Sequence, residues 1–167
     1  MAGNKYITNT SGNLTEVASI QTSAGVGDAG KIPALDANGL LDTTMMPVGI
    51  GADTAAIATS ETLAAGDLVN IWDNTGAAVR KADATTNKPA HGFVLAVFTH
   101  PTTATVYFEG NNNQVTGLTP GQQFLQTTAG TAGVTAPSAT GNIVQRVGMA
   151  TSATNLNFQS GVPIVLI

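Results

Sequence analysis

"DLVNIWDNTGAAVRKA", residues 67–82, decides the fold. Asp67 to Trp72 is an apolar stretch rich in residues that favour strands. Asp73 to Gly76, "DNTG", is a tight turn in which Gly76 supplies the positive φ, and "AAVRKA" resumes the extended pattern. Strand, turn, strand is the unit from which an antiparallel sheet grows.

Reading outward from this hairpin, the same signals recur. On its N-terminal side, "TAAIATSETLAAGD", Thr54–Asp67, has alanines that suit a helix, but Thr, Ser and Gly interrupt them. It reads as a strand followed by the turn "LAAGD". On its C-terminal side, "HGFVLAVF", His91–Phe98, is a continuous apolar run expected to be one central strand. "TATVYFEG" alternates, with Val106 and Phe108 on one face and Thr105 and Tyr107 on the other. Pro120-Gly121 fits the centre of a type II turn. "NIVQRVGMA", Asn142–Ala150, is a further strand, and "NLNFQSGVPIVLI" holds two more. "TTAGTAGVTAPSATG", Thr127–Gly141, reads as a loop or weak edge hairpin. About eight strands at short spacing predict an all-β body over residues 56–167, a small β-barrel or sandwich.

Residues 1–55 read differently. Their apolar spots, Tyr6, Ile7, Leu14, Val17 and Ile20, are isolated by turn formers and make no core among themselves. An extended N-terminal arm is expected. It ends in a connector, "GKIPALDANGLLDTTMMP", Gly30–Pro47. There Ile32, Leu35, Leu40 and Leu41 flank the turn "DANG". Asp42 is placed to cap one helical turn, through Met45 and Met46, that Pro47 stops. The arm carries Lys5 and Lys31 against five acids, net −3, and the remainder is net −1.

Only 10% of residues are charged, against roughly 25% in an ordinary globular domain. Hydroxyl, amide and small residues replace them. Such a surface costs little to bury against a neighbour, because few ions lose their water. The net charge of −4 and the absence of a Lys/Arg cluster argue against nucleic acid as a direct partner. There is no cysteine, so disulfides and thiolate metal sites are excluded. No apolar run reaches the roughly 18 residues that span a bilayer, and "MAGNKYITNTSGN" lacks the apolar core of a secretory signal. The protein is expected to be made in a cytoplasm.

Catalytic patterns are missing. His91 and His100 are the two histidines, and no Gly-x-Ser-x-Gly elbow accompanies them. Most acids stand in turns, and with 5% aromatics the chain offers no sugar-binding platform beside a carboxylate pair. Trp72 reads as core or interface. "DNTG" and "EGNNN" lack the acidic spacing of a calcium loop, and "GVGDAG" lacks the context of a phosphate loop. The chain reads as a non-enzyme with no cofactor and no metal.

One resemblance bears on the role. "GDAGKIPALDANGLLDTTMMPVGIG", residues 27–51, is similar to a segment of tailed-bacteriophage virion proteins, among them capsid decoration and fibre proteins. Residues 61–167 resemble the β-rich domain that follows it there, through "ETLAAGDLVNIW", "VRKADATTNKPAHGFV", "ATVYFEGNN", "GLTPGQQFL", "GNIVQRVGMATSATNLNF" and "GVPIVLI". The resemblance implies a decoration or cement protein on the outer surface of the capsid, a virion structural protein. It would be a homotrimer that bridges major capsid protein subunits. Residues 1–55 would then make the capsid and subunit contacts. Their anchors would be Tyr6, Ile7, Leu14, Val17 and Ile20 in the arm. Ile32, Leu35, Leu40, Leu41, Met45 and Met46 would serve in the connector. The alternative is a head or tail fibre module that binds a host surface. Copy number separates the two, hundreds per particle for decoration and a handful for a fibre.

Overall fold

The turn at Asp73–Gly76 forms as its residues require. The Asp73 carboxylate accepts from the Gly76 N–H at 2.9 Å, and Thr75 and Gly76 both take positive φ. These details come from a computed structural model that describes residues 4–47 and 51–167. The chain divides into two units, Met1–Gly51 and Ala52–Ile167.

The first unit holds β1 (Lys5–Thr10) and β2 (Asn13–Ala18), joined by a two-residue turn. Ser11 and Gly12 both have positive φ, the requirement of a type I′ hairpin. The arm therefore folds back on itself over residues 5–18. Irregular chain follows over residues 19–47, with one single-turn 3-10 segment before the connector, Val26–Asp28, and one within it, Thr43–Met45.

The second unit holds twelve strands. They are β3 (Thr54–Thr59), β4 (Leu68–Asp73), β5 (Ala77–Lys81), β6 (Gly92–Phe93), β7 (Thr103–Tyr107) and β8 (Glu109–Asn112). There follow β9 (Gly121–Leu125), β10 (Ala132–Gly133), β11 (Ile143–Val144), β12 (Arg146–Ser152), β13 (Asn155–Gln159) and β14 (Ile164–Val165). β3 starts at Thr54, earlier than the boundary at 55 read from sequence.

The body is all-β and combines a closed five-stranded barrel, β3-β5-β4-β6-β7, with an open antiparallel sheet, β10-β9-β12-β13-β8. β11 and β14 form a separate two-stranded ladder. One core fills the barrel: Ile57, Leu63, Val69, Val79, Val94, Ala104 and Val106. A second core joins the outside of the barrel to the sheet, with Leu68, Phe93, Leu125, Ile143, Val147, Leu156 and Phe158. Neighbouring residues of β4 serve both cores, Leu68 one and Val69 the other, because successive side chains leave opposite faces of a strand. Phe93 lies 5.4 Å from the Tyr107 ring and 5.5 Å from the Phe158 ring, so an aromatic cluster spans the junction.

The two cores explain the main departure from the sequence reading. His91–Phe98 is not one central strand; only Gly92 and Phe93 pair as β6, and the chain bends at Leu95–Ala96. Phe93 enters the core beneath the sheet and Val94 enters the barrel. Leu95 packs on the former core and Phe98 on the latter, where it bridges to Leu63. The run is apolar because it threads between two cores. "NIVQRVGMA" likewise splits, into β11 and β12, at the buried Gln145. These breaks raise the strand count above the eight expected.

Candidate interaction surface

Among the described residues 4–47 not one side chain is classed as buried. The hairpin register shows why. Residues opposite each other share a face, so Tyr6, Val17, Thr8 and Thr15 form one face. Lys5, Ile7, Glu16, Asn9 and Leu14 form the other. Tyr6 and Val17 meet as a half-buried cross-strand pair. On the second face Ile7 is 63% exposed and Leu14 is 74% exposed; the polar ties there are an exposed Lys5–Glu16 ion pair and the Asn9 side chain, whose Oδ1 accepts the Gly12 N–H at 2.9 Å. An exposed ion pair contributes little to stability.

The connector is held by polar bonds in place of a core. The Ile20 N–H donates to the Ile32 carbonyl at 3.1 Å, and the Ala34 N–H to the Ile20 carbonyl at 2.7 Å. The Gln21 amide donates to the Leu35 carbonyl at 2.9 Å, and the Ser23 N–H to Thr44 Oγ1 at 2.8 Å. Beside the hairpin base these bonds shape an open groove of about 780 Å³, lined by Tyr6, Ile32, Pro33 and Leu35 among others. Ile32, Leu35, Leu40 and Met46 are exposed, and Ile20, Leu41 and Met45 half-buried. The eleven predicted contact residues thus lie in one unit and reach the surface in part or in full. Val26, between two glycines and 95% exposed, is a further exposed aliphatic of this unit that the sequence reading did not single out.

Three carboxylates, Asp28 just before the connector and Asp36 and Asp42 within it, organise this stretch, and all three are held below the ordinary Asp value of 3.8. Asp28 is lowered first by the Lys31 ammonium, at 2.6 Å, then by the Ala24 N–H. Asp36 is lowered by the N–H groups of Leu40 and Asn38, at 2.9 and 2.8 Å. Asp42 is lowered by the Thr44 hydroxyl and N–H, and it caps the turn Thr43–Met45. Because the folded pKa lies below the unfolded one, each contribution is full above pH 3.8 and is lost as pH falls through the lowered value. The connector should therefore stay intact from neutrality to about pH 4. Below that, the amide signals of Ala24, Leu40 and Thr44 should titrate in NMR with midpoints under 3.8. Midpoints at or above 3.8 would contradict this assignment.

The body offers no reactive constellation among its described residues. His91 Nδ1 accepts the Ile71 N–H at 3.0 Å, and burial pushes the imidazole pKa down, which keeps the ring neutral. His100 Nδ1 lies 2.8 Å from the Thr59 carbonyl oxygen. Trp72 is half-buried, with the Arg80 guanidinium 4.4 Å from its ring centre and Nε1 donating to Ser60 Oγ at 3.1 Å. A cavity of about 160 Å³ opens beside Asp67, Gln114 and Leu118. Asp67 is engaged there, accepting the Ala64 N–H at 2.7 Å and pairing with Lys81 at 3.1 Å. Among the described residues no group of three His, Cys, Asp or Glu could hold a metal ion, and no helix is long and apolar enough to cross a membrane. Comparison of the chain with protein-family models, with curated proteins and with solved structures finds no match.

Proposed function

We propose that this chain is a decoration, or cement, protein of a tailed-phage head. Its first unit would bind the outside of the shell on the major capsid protein. The observation that carries this reading is a unit of over forty described residues with no buried side chain and seven exposed large aliphatics. Such a segment gains its hydrophobic stabilisation only from a neighbour. The resemblance of residues 27–51 to phage virion proteins names that neighbour as a capsid shell.

The mechanism follows from the parts. Among the described residues no third strand pairs with the hairpin, so its edges offer places for a strand of the partner, and the exposed Ile7 and Leu14 supply apolar contacts. A protein that binds several shell subunits at once, and only when they are assembled, stabilises the assembled state by mass action. Assembly as a homotrimer, which the resemblance also implies, multiplies weak contacts through effective concentration.

The test uses empty heads stripped of this protein and re-decorated with the full chain. Replacing Ile7→Asp together with Leu14→Asp removes two aliphatic contacts of about 1.5–3 kcal/mol each, so affinity should fall roughly 10²–10⁴-fold. The melting temperature of the body should not change, since neither residue lies in it. Wild-type occupancy by the double variant would overturn the reading. So would a native copy number of only a handful per particle, which points to a fibre.

A further inference from the structure

Asn38 is the one asparagine of this chain that is followed by a glycine. That neighbour changes its chemistry. The Gly39 nitrogen has no side chain beside it, so it can approach the side-chain carbonyl of Asn38 and close a cyclic imide. Asparagine is thermally labile for this kind of reason. The pair sits at the tip of the turn Asp36–Gly39, where Asn38 and Gly39 are both exposed to water. Gly39 has φ +76°, and no atom lies within 4 Å of its Cβ position, so no packing immobilises the tip.

Asp36 alone holds it. Its carbonyl accepts the Gly39 N–H at 3.1 Å. Its Oδ1 accepts the N–H groups of Asn38 and Leu40, at 2.8 and 2.9 Å, and its Oδ2 accepts from Asn38 Nδ2 at 3.3 Å. The Asp36 N–H donates to the Leu40 carbonyl at 2.8 Å. The nitrogen that would attack and the nitrogen that would leave are thus tied to the same residue. All these bonds lie at the surface of a unit without buried side chains, so the turn opens at small cost.

We propose that Asn38 is a site of spontaneous deamidation, and that Asp36 sets its rate by holding the turn closed. In the opened turn the Gly39 nitrogen gives up its proton and bonds to Asn38 Cγ. The bond from Cγ to Nδ2 breaks, and Nδ2 leaves as ammonia with that proton. Water then adds to one carbonyl of the imide. Opening at Cγ gives aspartate. Opening at the main-chain carbonyl gives isoaspartate, with the chain running through Cβ and Cγ. Either product adds a carboxylate beside those of Asp36 and Asp42. Isoaspartate also lengthens the backbone inside the turn, so the exposed Leu35 and Leu40 on either side of it lose their fixed spacing. The reaction needs only the chain and water and does not depend on attachment to a shell, so either reading can fail alone.

The experiment incubates the full chain at mildly alkaline pH, which favours loss of the Gly39 proton. Mass spectrometry with fragmentation locates the change, and chromatography separates the aspartate and isoaspartate forms. Residue 38 should gain about 1 Da, the exchange of NH for O. The folded chain should react at least about tenfold more slowly than the same chain in urea. Asp36→Ala should speed the reaction roughly 5–20-fold, as expected for the loss of one or two surface hydrogen bonds. Asp36→Asn keeps an oxygen that can accept from Asn38 and Leu40, so its rate should stay near the wild-type one. Asp28→Ala removes a carboxylate that holds Ala24 and Lys31 instead, and should leave the rate unchanged. No gain at residue 38 in either the wild type or Asp36→Ala overturns the proposal. So do equal rates for the folded and urea-unfolded chains, equal rates for the wild type and Asp36→Ala, or an equal rise in Asp28→Ala.

Discussion

Gly148→Ala is expected to lower the melting temperature of the body by roughly 15 °C, the consequence of about 4 kcal/mol lost from a domain of this size. Gly148 sits in β12 with φ +138°, a region closed to residues with a side chain. A Cβ there would stand 2.1 Å from the Asn157 carbonyl oxygen and 3.1 Å from Phe158 Cα. Both are backbone atoms of β13, so no side-chain rotation relieves the clash and the ladder itself must open. Backbone strain accounts for about 1–3 kcal/mol and forced displacement for about as much again. Gly110→Ala is the control. It also has positive φ, at +108°, but no atom lies within 4 Å of its Cβ position, so it carries the strain without the clash. Calorimetry of both variants should show the larger drop for Gly148→Ala. Equal drops would mean that the contact with Asn157 contributes nothing.

The glycine has this role because β12 carries a bulge. Arg146 pairs with Phe124 and Gly148 with Gln123, so Val147 is the extra residue. The insertion resets the alternation: Val147 and Ala150 both enter the core, and Met149 points to solvent. A strand without it would turn Met149 inward and Ala150 outward. A glycine inside an otherwise regular strand pattern was the readable signal.

Local chemistry was legible from the sequence, and tertiary sharing was not. The hairpin over residues 67–82 depends on four turn residues, and the Asp42 cap on a carboxylate two residues before an N–H. Each is decided within a few residues of chain. Phe93 and Val94 differ only in which of two cores receives them, and nothing nearby in sequence records that. The same limit hid Val162–Ile167. An apolar run reads as core until the fold shows that it pairs with β11 alone and leaves Val162, Ile164, Val165 and Ile167 exposed. In the first unit the hairpin brings Tyr6 and Val17, eleven residues apart, together as a half-buried pair, while Ile7 and Leu14 on its other face stay exposed.

Gln145→Glu should make the stability of the body depend steeply on pH, where Gln145→Leu should lower it at every pH. Gln145 is 1% exposed and joins three segments. Its Oε1 accepts the Ala90 N–H at 2.7 Å, and its Nε2 donates to the carbonyls of Ala90 and Gly161 at 2.9 and 3.0 Å. Ser160 Oγ also donates to Ala90, at 2.9 Å. Leucine would leave the buried Ala90 N–H without its partner and remove the donor to the Gly161 carbonyl, a cost of about 3 kcal/mol. Glutamate keeps the bond from Ala90 N–H but turns its second oxygen toward two carbonyl oxygens. Only the protonated acid fits, so the folded pKa must rise above the unfolded value of about 4.3. Between those two values the folded chain holds a proton that the unfolded chain has released. Stability is then full below about pH 4 and falls by about 1.4 kcal/mol per pH unit above it, until the raised pKa is passed. Denaturant titrations at pH 4, 5.5 and 7 separate the variants, and a flat profile for Gln145→Glu would refute the buried-carbonyl geometry. Gln145 stands directly between β11 and β12, and Gly161 leads into the Val162–Ile167 segment. The amide therefore also ties the start of that segment to the junction of β11 and β12.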